Sequence, residues 1–281
     1  MPVEPIAAIV DAFRTHEIVA ISDPDGNVQL QAFLLSLVRD ARFPAAVNDI
    51  VSELLSARYQ DAIDRFVLGE DGPRDVLRNA SESREDHRHW IELRDTHPAD
   101  LIRRQVLDRD RRALLVYGQG HLQRRQIASN YDMSTWQAQT VVSLLERDAG
   151  ARVFNIWTLL DRNAELPEGV ASWRVPSLAI MKGTTLGARD FGMYFRGLGY
   201  GTRFAVRNDQ FVALSREQWT TMRMEDQFNA LLYLGPPSSM TEAPLASGLC
   251  QDAQFVKPIC NGSPCSHPPF EIENFEKACG L

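Results

Sequence analysis

The sequence predicts an α/β fold: a central, mainly parallel sheet with helices on both faces and an irregular C-terminal tail. Two observations carry this. Short apolar runs alternate with stretches of helical periodicity from the start of the chain to Thr158, the pattern of a parallel sheet covered on both sides. Polar residues also fall just past the ends of three of those runs. Ile18 to Ile21 is followed by Ser22-Asp23-Pro24-Asp25-Gly26-Asn27, Asp49 to Ser52 leads into Glu53, and Ala113 to Tyr117 opens into Gly118-Gln119-Gly120-His121. If the runs are parallel strands, these groups converge on the carboxyl edge of the sheet, where open α/β folds place their ligand crevice.

The elements follow in order. Ile6, Ile9, Val10 and Phe13 stand at i, i+3, i+4 and i+7, which predicts an amphipathic first helix. After the first strand, Leu30, Phe33, Leu34, Leu37 and Val38 share one helical face, and a second strand at 49–55 leads to a helix with Ala62, Ile63, Phe66 and Val67. Gly69 to Pro73 breaks the pattern, and 74–97 is charged with little periodicity, so a loop or short helix is expected there. Leu101, Ile102 and Val106 mark a helix before the strand at 112–117. Ser134 and Gln137 suit a capping box for a helix carrying Val141, Leu144 and Leu145, which Gly150 closes before a strand from Arg152 to Thr158. Two later strands, Pro176 to Met181 and Ala230 to Leu234, flank a glycine-dense segment from Gly183 to Gly201 that reads as a flexible loop over the crevice. Residues 1–235 are expected to form the α/β domain and 236–281 an irregular tail rich in Pro, Ser and Gly.

Composition limits the function classes. The chain has 281 residues, 44% hydrophobic and 24% charged, with a net charge of −7, an ordinary globular balance. That charge leaves no excess of Lys and Arg to neutralise phosphates, so no nucleic-acid partner is expected. Arg103, Arg104, Arg109, Arg111 and Arg112 are interleaved with Asp108 and Asp110, a self-compensated surface. No apolar segment approaches the roughly 18 residues of a membrane span. The amphipathic start lacks the basic-then-apolar pattern of a signal peptide, so a cytoplasmic location is expected. The oligomeric state is not legible.

Cys250, Cys260, Cys265 and Cys279 all lie at or beyond residue 250. They fit a disulfide-stapled tail, incidental thiols, or a zinc site using Cys260, Cys265 and His267, whose spacing lacks paired knuckles. Asn79-Ala80-Ser81 and Asn261-Gly262-Ser263 match the glycosylation pattern, which matters only in a secreted chain.

The segments IVAISDPDGN, VNDIVSELLSARYQDAIDRFVLGE, RRALLVYGQGHLQRR, VPSLAIMKGTTLG and MEDQFNALLYLGPPSSMT, in that order, resemble an uncharacterised bacterial family. It lies within the group that includes erythromycin esterases, ChaN-type haem-uptake proteins and Tiki proteases. The resemblance spans most of residues 5 to 250 and is weakest at 74–95, where relatives carry a further strand and helices, so the chain reads as a shortened member. In that group the first strand ends in Gly-Glu-x-His or Gly-Asp-x-His. Here those positions are Ser22, Asp23, Pro24 and Asp25. The acid persists as Asp23, but Asp25 replaces the histidine, and an aspartate is a near-neutral base only if burial or a neighbouring carboxylate raises its pKa. Glu53 matches the acid after the second strand and His121 the histidine of the Gly-x-Gly-His turn.

Two functional readings follow. In the first, Asp23, Asp25, Glu53 and His121 form a hydrolytic site: clustered carboxylates share a proton or bind a divalent metal ion, and a water becomes the nucleophile. Arg58, Gln60 and Arg124 would orient a small-molecule substrate, with Asp64, Arg65 and Arg125 nearby in sequence. The competing local reading has Asp23 and Asp25 capping the next helix or forming Asx turns, and Asp61 pairing with Arg65 on a helix surface. In the second, the chain binds haem or another small ligand without turnover, or is a degenerate scaffold. The haem implied by the ChaN-type resemblance would take His121, Tyr117 or Tyr131 as axial ligand. Asp226 could reach the pocket or cap a turn, and Trp136, Trp157, Trp173 and Trp219 read as packing.

Overall fold

The computed structural model describes residues 1–23, 27–53, 60–67, 95–124, 140–160, 166–191, 204–207, 210–213 and 222–241. Asp25, Arg58, Tyr131, Trp136, Trp219 and the four cysteines lie outside them. Contacts divide the chain into two units, Met1–Ser56 with Glu82–Thr241, and Ala57–Ser81 with Glu242–Leu281. In the second unit the described element is α4 (Gln60–Val67), where Gln60 Nε2 donates to Asp64 Oδ1 at 2.7 Å along one helix face.

The first unit is the predicted α/β body. Helix α1 (Pro5–Ala12) precedes β1 (Ile18–Asp23), then come α2 (Val28–Val38), the single turn α3 (Phe43–Ala46) and β2 (Asp49–Ser52). Next are α5 (Thr96–Gln105), β3 (Ala113–Gly118), α6 (Val141–Asp148) and β4 (Val153–Thr158). The later strands are β5 (Ser177–Ile180), β6 (Phe204–Arg207) and β7 (Gln210–Ala213), and α7 (Met224–Gln227) leads into β8 (Ala230–Tyr233). Six strands form one sheet in the order β2-β3-β1-β4-β8-β5. All its pairs are parallel except β5 with β8. The antiparallel β6–β7 pair is separate, and the sequence reading passed over it.

Side-chain alternation sorts the core onto two faces. Val19, Ile21, Leu114 and Val116 pack with Ile9 and Phe13 near α1, Leu30, Phe33 and Leu37 of α2, and Phe43 of α3. Ile18, Ala20, Leu115 and Tyr117 pack with Ala99 and Ile102 of α5 and Val141, Val142 and Leu145 of α6. The chain steps outward from β1 to the edge strand β2, then back to β3 and past β1 to β4. Right-handed crossovers put helices on opposite faces when that direction reverses, and the packing agrees. The loops after neighbouring strands β1 and β3 therefore leave toward opposite faces, a topological switch point of the kind at which open α/β folds place their ligands.

Local chemistry sets the helix starts. Asn27 caps α2, its side chain accepting from the Leu30 N–H at 2.9 Å. Helix α6 starts at Val141 with a Thr140–Ser143 capping box, in place of the expected Ser134–Gln137 pair, which lies outside the described residues. Gly150, at φ +64°, turns the chain into β4 as expected. The second strand ends at Ser52, short of the expected 55, because β2 is an edge whose Ile50 is 55% exposed.

Tyr233 at the end of β8 is 1% exposed and meets Trp173 edge-on. Burial pushes its phenol above the ordinary value of 10.0. A raised folded-state pKa contributes stability below the unfolded value that is lost as pH climbs through the folded one. In a phenolate absorbance titration Tyr233 should therefore ionise above the ordinary tyrosine value, and unfolding should become easier along that alkaline limb.

Candidate functional site

The site grows out of the carboxyl ends of β1, β2 and β3. Asp23 closes β1 in register with Gly118, the last residue of β3. Glu53 continues β2, its N–H donating to the Val116 carbonyl at 3.2 Å. The chain after Gly118 tightens into a 3-10 turn, Gln119–Leu122, that carries His121.

Glu53 and His121 come together over the end of β3. Glu53 Oε2 accepts the Gly118 N–H at 2.6 Å, and Glu53 Oε1 lies 3.8 Å from His121 Nε2, too long for a hydrogen bond. A Cβ on Gly118 would stand 2.7 Å from Glu53 Oε2, so glycine permits this approach. The His121 ring packs roughly perpendicular to Tyr117, buried beneath α5 and α6, with centroids 5.5 Å apart.

The other imidazole nitrogen faces a residue that sequence reasoning missed. His121 Nδ1 lies 2.8 Å from Asp95 Oδ1, which also accepts the Val141 N–H of α6 at 3.0 Å. Asp95 immediately precedes α5 yet makes no side-chain cap there. The side chains of His121, Glu53 and Asp95 are 14%, 18% and 19% exposed, so the three form a partly sheltered row of carboxylate, imidazole and carboxylate. Asp23 is half-buried across Gly118 from them, and alternation along β1 puts it on the α2 face with Val19 and Ile21. Gln119, beside Gly118, carries a buried amide nitrogen with no hydrogen-bond partner, a donor whose burial cost is offset only when an oxygen reaches it.

The turn bearing His121 is tied down beyond it. Asn155 Nδ2 donates to the Leu122 carbonyl and Thr140 Oγ1 to that of Gln123. Arg124 donates from Nε to both oxygens of Glu146 at 2.9 Å, and from its two terminal nitrogens to the Gln227 and Val153 carbonyls and Asn229 Oδ1. Its guanidinium, expected to orient substrate, is thus engaged by four protein residues. Asp226 is exposed in α7, while Trp157 packs against Phe191 and Phe228 as expected of a core residue.

Among the described residues no group of three or more His, Cys, Asp or Glu side chains is arranged to hold a metal ion. His121 Nε2 and Glu53 alone do not make a closed donor set, so no step is assigned to a metal. No helix among the described residues is long and apolar enough to cross a membrane.

Fold and site together define an open α/β domain with a histidine–carboxylate centre at its topological switch point. No family model matches the chain, and no curated protein or solved structure matches it.

Proposed function

We propose that the chain is a hydrolase of small neutral or cationic esters, with His121 as general base and Glu53 as the group that orients water. The observation that carries this is the 3.8 Å facing of His121 Nε2 and Glu53 Oε1 at the carboxyl edge of the sheet. In neutral His121 with a proton on Nδ1, both facing atoms are acceptors, and a water donating one proton to each satisfies both. Nε2 takes one proton as the water oxygen bonds to the acyl carbon. It returns that proton to the alcohol oxygen when the acyl–oxygen bond breaks. Asp23, at the end of β1 in register with Gly118, is proposed as a further acid of the same centre. The two carboxylates beside the imidazole repel anions, which favours neutral or cationic esters over phosphate esters. The resemblance to erythromycin esterases supports the same reaction class.

The test is a panel of chromogenic carboxylic and phosphate esters given to the wild type, His121→Asn and Glu53→Gln, with metal analysis and an absorption spectrum of the wild type. Carboxylic-ester turnover falling about 100- to 10,000-fold in His121→Asn is the expected result. A silent wild type, with and without added divalent ions, would sink the proposal. A Soret band would replace it with haem binding, and stoichiometric metal lost in Glu53→Gln would transfer water activation to a metal centre.

A further inference from the structure

We infer that Asp95 is the positioning residue of this centre: it holds His121 in the Nδ1–H tautomer, so that Nε2 presents its lone pair toward Glu53. The inference rests on the hydrolase reading for its catalytic consequence but not for its geometry. Carboxylate oxygens only accept, so the 2.8 Å contact between His121 Nδ1 and Asp95 Oδ1 requires the proton on Nδ1. The same oxygen accepts the Val141 N–H, the first amide of α6. That second bond fixes the carboxylate from the side away from the ring, at a helix end that favours negative charge. A carboxylate that caps its own helix would serve only that helix. Asp95 leaves α5 uncapped and bridges β3's turn to α6 instead, the arrangement by which a buried acid selects an imidazole tautomer.

The sheltered setting strengthens the selection. His121 is 14% exposed and Asp95 19%, and the Tyr117 ring packs at 84° to the imidazole, so the ring is restrained from rotating to exchange its nitrogens. Alanine at position 95 removes the oxygen that takes the Nδ1 proton, and the Glu53 carboxylate facing Nε2 then draws the proton to that nitrogen, which removes the base. Asparagine keeps an amide oxygen at the Oδ1 position, an acceptor for both Nδ1–H and the Val141 N–H.

The experiment is nitrogen-15 NMR of the His121 ring in the full chain, as wild type, Asp95→Ala, Asp95→Asn and Ser143→Ala, beside kcat and KM for the best carboxylic ester. Ser143→Ala weakens the α6 capping box without touching Asp95 or His121. The expected result is an Nδ1–H tautomer in the wild type, Asp95→Asn and Ser143→Ala, and an Nε2–H tautomer in Asp95→Ala. A kcat loss of about 100-fold at little-changed KM should appear in Asp95→Ala alone. An unchanged tautomer and kcat in Asp95→Ala would overturn the inference and leave Asp95 a helix-end contact. If the wild type hydrolyses nothing, the hydrolase reading fails, while the tautomer measurement still decides whether Asp95 orients the ring.

Discussion

Arg124→Ala should lower the free energy of unfolding by about 3 kcal/mol, the lower end of the loss when one partner of a buried ion pair is removed. Arg124 and Glu146 side chains are 20% and 29% exposed, so screening keeps the value at that end. The guanidinium also donates to two main-chain carbonyls and Asn229 Oδ1, and alanine leaves those acceptors and Glu146 to find other partners. Urea unfolding of the wild type, Arg124→Ala and Arg124→Met/Glu146→Leu checks it, the double variant recovering part of the loss because no charge is left uncompensated. A substrate-orienting Arg124 would give the opposite signature, an unmoved unfolding midpoint with a raised KM.

Arg124 shows why the fold was easier to read than the site. From the sequence it is a cation three places beyond a candidate histidine, and a ligand role follows naturally. Its partners at Glu146, Val153, Gln227 and Asn229 are as far as 105 positions away, and no local pattern announces them. Asp95 is the converse. It lies in the charged stretch at 74–97, 26 positions before the histidine it contacts, and its place just ahead of a helix invites a capping role that its side chain does not fill. By contrast β1, β3 and β4 are buried strands between helices, so apolar runs and their punctuation sufficed to place them, and His121 with β3. The α2 cap fell to Asn27 because a cap needs one residue at one position, and three neighbouring polar residues compete for it.

Gly118→Ala should leave the fold nearly intact and cost the centre about 100-fold in kcat/KM, the order expected when a catalytic group is displaced by an ångström. Gly118 has φ −54° and ψ 138°, a conformation open to alanine, so the backbone gives no reason for instability. The added Cβ meets the end of the Glu53 side chain at 2.7 Å, with the next closest atom on His121 at 3.4 Å. A flexible carboxylate can withdraw, but then it gives up the Gly118 N–H that holds it and the facing on His121 Nε2. Paired thermal unfolding and ester kinetics separate the effects: an unchanged midpoint with a collapsed rate places Glu53 in the water-activating step. A normal rate would mean that the carboxylate's position over β3 is immaterial to turnover, and His121 would then act without it.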